Sequence, residues 1–352
     1  MTIELKGVTK RVGAETHIHE TDLSLEPGGF NVFLGATGAG KTTLIKLLAG
    51  LERPTTGQVI FNGRDVTRDA PQQRNVSLVH QFFINYPNMT VRENIASPLR
   101  VAGLAEAEIT RRVGQAAELL RLTPMLNRRP SELSGGQQQR TALARAIVKD
   151  SQLVLLDEPL ANLDYKLREE LRDQLPGLFA GRNATVVYAT SEPSEALLLG
   201  GHTATIHEGR VTQFGPTTET YRNPANLITA DVFSDPPINM APVTKTGSAI
   251  RLQDGVEWPA AGAAATLSDG SYTVGLRPHF VSPTARVGVP LKGRIAIAEL
   301  SGSESVAHFQ FGGHTWVAQS DGVHPYRVGE EHEFRLDTSR ALYFDAEGRR
   351  VA

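Results

Sequence analysis

The sequence contains no cysteine. Disulfides and thiolate metal sites are therefore excluded, and the composition suits a reducing compartment. Long apolar runs are missing too. Stretches such as Ala196-Leu197-Leu198-Leu199 fall far short of a membrane span, so any role at a membrane has to come through a partner. No charge of one sign dominates. The 36 basic and 38 acidic residues leave a net charge of −2, and no overall basic field argues for a nucleic-acid partner. The opening residues Met1-Thr2-Ile3-Glu4-Leu5-Lys6 carry no signal-peptide core. There is no low-complexity segment and no clear internal repeat. What remains is an ordinary globular balance, 40% hydrophobic and 21% charged, over 352 residues, a length that allows two domains.

The most informative stretch is Gly35-Ala36-Thr37-Gly38-Ala39-Gly40-Lys41-Thr42, which reads G-x-x-x-x-G-K-T. Gly35, Gly38 and Gly40 allow a tight backbone turn whose N–H groups point at a phosphate. Lys41 adds a point charge for the β- and γ-phosphates, and the Thr42 hydroxyl suits Mg²⁺. The flanks agree. Phe30–Leu34 is apolar and strand-like, and Thr43 to Ala49 has helical spacing, so a helix N-terminus faces the anion.

Around this loop, strand-like and helical runs alternate. Ile3, Leu5 and Val8 predict one strand, and Leu23 and Leu25 another. Val59-Ile60-Phe61 ends in the turn Asn62-Gly63. Val76 to His80 predicts a strand that delivers Gln81. From about Asn85 to Asp150 the pattern is helical, with Ile109, Val113, Ala117 and Leu120 on one face. Leu153-Val154-Leu155-Leu156 and Thr185 to Ala189 read as buried parallel strands. Together these predict an α/β fold with a mainly parallel sheet covered on both faces. Prolines in the window from Ser234 to Pro242 suit an extended linker. Short strand-like runs beyond it, such as Tyr272-Thr273-Val274, Arg294 to Ile297 and Thr315-Trp316-Val317, predict a small all-β barrel. The expected domains are residues 1–234, with a helical subdomain near 85–150, and 235–352.

Two further segments complete the chemistry. The strand ending in Asp157 can hold a carboxylate beside Mg²⁺, and Glu158, one peptide on, can orient and deprotonate a water. In Leu133-Ser134-Gly135-Gly136-Gln137, Ser134 can cap a helix and the glycines let phosphate oxygens approach its first N–H groups.

With these residues in view, the chain resembles the ATP-binding cassette subunits of membrane transporters. The matches are the Walker A loop Gly35 to Thr42, the Q-loop Gln81, the signature Leu133 to Gln137, the Walker B strand ending at Asp157, Glu158, and the D-loop Ala161-Asn162-Leu163-Asp164. The resemblance implies two cassettes that sandwich ATP between the Walker A loop of one chain and the signature of the other. It assigns ATP to Gly35, Thr37, Gly38, Ala39, Gly40, Lys41, Thr42 and Thr43. Ser134, Gly135, Gly136 and Gln137 face ATP on the partner chain, with Asp164 in the D-loop. Mg²⁺ falls to Thr42, Gln81 and Asp157, and catalysis to Glu158 and Gln81. Implied partners are a second cassette ATPase, two transmembrane permease subunits docking near Phe82, Phe83 and Tyr86, and, indirectly, a solute-binding protein. The implied location is the cytoplasmic face of the inner membrane.

Gly275-Leu276-Arg277-Pro278-His279 resembles the Gly-x-Arg-Pro-Glu motif of the oligonucleotide-binding-like regulatory domain in carbohydrate and polyol importers, with Glu absent after Pro278. Tyr86-Pro87-Asn88-Met89-Thr90-Val91 resembles their Tyr-Pro-His-Met-Thr-Val. The runs Val12 to His19 and Phe83 to Pro87 look most like an ATPase of bacterial glycerol importers that carry two different ATPases. A sugar or sn-glycerol-3-phosphate importer is the nearest alternative. An ATP-sensing regulatory interaction protein is the alternative of another class.

Two departures stand out. The family usually has an aromatic near Val12 to stack on adenine, and none occurs from Thr9 to Asp22. The switch-histidine position is Ser191. A chain so altered is expected to pair with a histidine-bearing ATPase in a heterodimer. His17 and His19 alternate on one strand; with no third ligand nearby they read as an exposed strand face rather than a metal pair.

Overall fold

A computed structural model of the protein describes residues 1–82, 84–161, 163–179, 184–252 and 255–352. Phe83 and Asn162, both named above, lie outside the described residues. The chain divides into two compact units, Met1–Glu219 and Thr220–Ala352.

The first unit holds two sheets and a helical part. A six-stranded sheet runs in the order Arg210–Pro216, His202–His207, Phe30–Leu34, Thr185–Thr190, Leu153–Asp157, Val76–Val79. All its pairings are parallel except the one between His202–His207 and Arg210–Pro216. A second, antiparallel sheet is built from Glu15–Leu25, Ile3–Val12, Thr56–Phe61 and Arg64–Asp65. The helix Lys41–Ala49 shares one apolar core with both sheets. Its Leu44, Leu47 and Leu48 are fully covered beside Phe33, Leu153, Val187 and Val59. Helix burial this complete leaves the loop before it no freedom to drift. The C-terminal end is tied as well. The buried Arg74 guanidinium donates to the Leu47 carbonyl at 2.8 Å and to that of Leu48 at 3.0 Å, a cation where the helix dipole favours one.

The helical part comprises Val91–Val101, Glu106–Leu119 and Gly135–Val148, which pack on one another within the expected span. Thr90 and Glu93 form a reciprocal capping box at the first, and Ser134 and Gln137 at the last.

The second unit is all-β apart from short helical turns. Two five-stranded antiparallel sheets close over one core that includes Trp258, Phe309, Trp316, Phe334 and Tyr343, so the barrel-like expectation is met by a near-barrel. Trp258 donates to the Tyr343 hydroxyl at 2.9 Å inside it. Asn239 joins the sheets: its Nδ2 donates to the Val317 carbonyl at 2.8 Å, and its Oδ1 accepts from the Val317 amide at 2.6 Å. The reading of Ser234 to Pro242 as a linker needs correction. From Asn239 the chain is already a central strand, Asn239–Thr246, paired on both sides. The division between the units comes ahead of the proline-rich window because Tyr221 belongs with the second unit. Arg277 lies 3.8 Å over its ring and donates to its carbonyl at 2.7 Å. This is the task of the arginine in Gly275 to His279.

Candidate nucleotide site

The phosphate loop runs from the end of Phe30–Leu34 to the start of Lys41–Ala49. Its glycines differ in purpose. Gly40 has φ 109°, a backbone only glycine adopts easily. Gly35 has no left-handed φ; a Cβ there would stand 2.2 Å from the Ile206 carbonyl oxygen. The first turn expectation therefore holds for Gly38 and Gly40, while Gly35 is required by close packing on the neighbouring strand. Gly40 offers the helix no side-chain cap, so its leading N–H groups remain for an anion.

Lys41 is 4% exposed, and its Nζ donates to the carbonyls of Gly35 at 2.8 Å and Ala36 at 3.0 Å. Glu158 Oε1 is 3.4 Å away. Burial pulls the Lys41 ammonium below the ordinary lysine range, and the neighbouring Glu158 acts against that shift. Thr42 Oγ1 donates to Asp157 Oδ1 at 3.0 Å. Asp157 is buried at the end of its strand, and that burial raises its pKa, with the Thr42 bond opposing. Asp157 Oδ2 is buried without a hydrogen-bond partner. Gln81 Nε2 donates to Glu158 Oε2 at 3.3 Å. Glu158 itself sits at φ 47°, with its amide bonded to the Ala189 carbonyl at 3.1 Å. A non-glycine residue in this region holds its side chain at an energetic cost that the surrounding bonds must offset.

These groups line one cleft of about 660 Å³. Thr37, Gly38, Gly40, Lys41, Thr42, Thr43, Gln81 and Glu158 are among the residues that line it. Asp157 lies beneath, through Thr42. The residues fit a magnesium nucleotide: open helix amides and a lysine for phosphates, and an orphaned buried carboxylate oxygen beside a hydroxyl for a hard cation. Glu15, Thr16, His17, His19, Glu208 and Gly209 also line it. The strand alternation noted for His17 and His19 thus lays them on the wall of this cleft. The clue was present in the sequence, but nothing local says which face a cleft will occupy.

The family profile described as ABC transporter matches residues 18–161. The sn-glycerol-3-phosphate import ATP-binding protein UgpC of Ruegeria pomeroyi is 38% identical over 312 residues, 89% of this chain and 87% of its own. That of Chromohalobacter salexigens is 37% identical over 357 residues, covering 99% and 96%. The chain belongs to the ABC transporter ATP-binding family. It is an ATP-binding and ATP-hydrolysing transporter cassette. Among solved structures, the dimeric post-hydrolysis cassette MJ0796 bound to ADP and Pi aligns over 61% of this chain and 98% of its own, at 29% identity and TM-score 0.56. A second dimeric MJ0796 structure, of a bacterial ABC transporter cassette, gives 28% identity and TM-score 0.57 over the same shares.

Other expected site residues of the cassette stand apart from the cleft. Ser134 and Gly135 are exposed at the start of their helix; Gln137 is engaged in the capping box, donating its amide to Ser134 Oγ at 3.4 Å. Asp164 accepts from the Leu167 amide at 3.0 Å and caps the next helix. Ser191 is exposed just after Thr185–Thr190. Sequence reasoning missed Gln139, whose buried amide donates to the Pro159 carbonyl at 2.5 Å and ties the signature helix to the segment after Glu158. It also missed Glu195, a buried carboxylate that accepts from Thr190 Oγ1 at 2.6 Å. Among the described residues, no helix is long and apolar enough to cross a membrane.

Proposed function

We propose that the protein is the energising subunit of an importer for a small polyol or polyol phosphate. The Thr42–Asp157 pair, with its unpartnered carboxylate oxygen beside Lys41, carries the reading that Mg²⁺ and the ATP phosphates bind here. When bound, the magnesium nucleotide supplies the phosphoanhydride whose hydrolysis drives transport. Lys41 and the helix N-terminus would hold the phosphates, Gln81 would keep Glu158 oriented, and Glu158 would take a proton from water. Ser134 to Gln137, pre-capped and exposed at Ser134 and Gly135, suit a nucleotide held by a second cassette. Phe82, at 78% exposed, stacks on His80, and Tyr86 lies against Arg145; His80 and Arg145 line a groove of about 350 Å³ with Leu51, Leu78, Ile84, Pro98 and Lys149. A surface with exposed aromatics beside a groove of this kind suits a permease helix, which would keep the subunit at the cytoplasmic membrane face.

The names of the curated relatives favour sn-glycerol-3-phosphate as the solute class over unphosphorylated glycerol. One observation favours a second reading. Ser191 at the switch position leaves this chain's own site short of a proton-handling group, a deficit of roughly 10²–10⁴-fold in rate. A heterodimer would confine that deficit to one of two sites, as expected for a glycerol importer with two different ATPases.

The test is uptake by the reconstituted complex of permease subunits and solute-binding protein. Uptake of sn-glycerol-3-phosphate with this chain as sole ATPase supports the first reading. Glycerol uptake that requires a second, histidine-bearing ATPase supports the other. In that heterodimer, Glu158→Gln here should cost far less ATPase activity than the matching change in the partner, while Ser134→Arg here should cost nearly all of it. Uptake of neither solute refutes both.

A further inference from the structure

We infer that Gln139 is a positioning residue for Glu158. From the helix Gly135–Val148 it anchors the backbone turn that sets the Glu158 carboxylate on the cleft. The inference rests on the reading above that Glu158 takes a proton from water. The turn is held at a cost. Glu158 has φ 47°, and Pro159 after it narrows the backbone choices of the residue before a proline. Pro159 has no amide N–H, so its carbonyl is its one backbone hydrogen-bonding group, and the residue is buried. Gln139, 1% exposed, supplies the donor: its Nε2 lies 2.5 Å from that carbonyl. Two further bonds hold the turn. The Glu158 amide donates to the Ala189 carbonyl at 3.1 Å, and the Glu158 carbonyl accepts from the Ala161 amide at 3.4 Å.

The anchor is itself fixed. Asn85 Nδ2 donates to the Gln138 carbonyl at 2.9 Å, Gln138 Nε2 donates to the Leu133 carbonyl at 3.3 Å, and Leu143, Ala146 and Ile147 are buried along the same helix. Gln139 Oε1, by contrast, is buried without a hydrogen-bond partner. A carbonyl accepts and cannot donate, so Pro159 dictates which way the amide faces. Space filling alone would be better served by leucine, which orphans no acceptor. The cost of that orphan points to a use for the N–H on the other side. The far end of Glu158 is less securely held. Lys41, 3.4 Å from its carboxylate, is also claimed by the phosphates on the nucleotide reading. With ATP bound, more of the orientation therefore falls to the backbone anchors. Without Gln139, Glu158 can relax out of the left-handed region and lose its aim.

The experiment uses Gln139→Leu and Gln139→Met in the full-length protein, since both fill the space without the donor. MgATP affinity is read by calorimetry, turnover by phosphate release, and the turn itself by amide hydrogen exchange at Glu158 and Ala161. MgATP affinity should stay within about twofold of the parent's, because no phosphate contact is touched. The kcat should fall by about 10–100-fold, the scale of a misaimed reacting group. Exchange at the two amides should quicken by about 3–10-fold, the size of one lost hydrogen bond. Turnover and exchange equal to the parent's overturn the positioning role. So does a loss of MgATP binding as large as the loss of turnover, or misfolding of both variants, because Gln139 would then serve the core alone. A parent protein that binds no MgATP refutes the nucleotide reading instead; quickened exchange at Glu158 then still supports the anchor, and unchanged exchange overturns it.

Discussion

Glu195 gives the sharpest test of how the catalytic end of the sheet is held. The residue is 2% exposed, yet it is a carboxylate. Tyr188 OH donates to it at 3.0 Å, Thr190 Oγ1 at 2.6 Å, and Arg168 at 2.8 and 3.2 Å. Tyr188 and Thr190 lie on the strand that precedes Ser191. Burial, with Glu195 close by, keeps the Tyr188 phenol protonated far above the ordinary range, so it stays a donor. The same strand end accepts the Gly35 amide at Thr190 and the Glu158 amide at Ala189. The change to make is Glu195→Ala. It leaves two hydroxyl donors unpaired in covered surroundings, at about 1–3 kcal/mol each. The arginine contributes less, because it is partly exposed and keeps Glu192 as an ion-pair partner. The loss should total about 4 kcal/mol, which for a unit of this size lowers the melting temperature by about 8–16 °C. Glu195→Gln keeps an acceptor for the hydroxyls and should cost about half as much. Differential scanning calorimetry of the full-length protein reads both. A melting temperature within about 2 °C of the parent for the alanine variant refutes the reasoning, since no such network would then be holding the strand.

Lys41→Ala should weaken MgATP by about 10–100-fold in calorimetry, the size of a lost charge-assisted phosphate contact. Asp157→Asn should separate stability from function. The folded pKa of Asp157 is raised by burial, so its ionisation destabilises the fold as pH rises above the unfolded carboxylate range, and the penalty is complete above the folded pKa. The asparagine variant should therefore be more stable than the parent at neutral pH, equal to it in acid, and deficient in Mg²⁺-dependent ATP binding; urea titrations at two pH values decide this. Asn239→Ala removes both bonds to Val317 and should destabilise the second unit by about 2–3 kcal/mol, read by urea unfolding.

Much of the architecture was legible because it is local. The unbroken apolar run Leu153 to Leu156 suits a strand covered on both faces, and it is paired on both sides in the parallel sheet. The capping box Ser134–Gln137 announces its helix three residues at a time. The β unit was legible as strands but not as topology. Pro242 suggested a tether, whereas it lies in a strand whose pairing with Gly270–Leu276 tolerates it. Contacts between distant segments left no local trace. Arg74 reads as a loop charge until its guanidinium is found at the end of a helix far earlier in the chain. Glu195 reads as one acid of an amphipathic helix until Tyr188 and Arg168 converge on it.

The nucleotide site divides along the same line, and the division is chemical. Phosphates are bound chiefly by backbone N–H groups, and the spacing of glycines dictates where those point. A motif can therefore declare that end of a site unaided. A base is bound by the faces of side chains, and any planar residue on a suitable wall will serve. The wall here comes from Glu15–Leu25, a strand the loop touches only through tertiary packing. Val12 was the position to inspect by resemblance, and no aromatic stands near it in the sequence. That His17 and His19 line the same cleft as Lys41 is visible only in the folded chain. The same holds for Leu133 to Gln137: the reciprocal bonds between Ser134 and Gln137 fix the start of their helix from within the chain, while Ser134 and Gly135 stay exposed there.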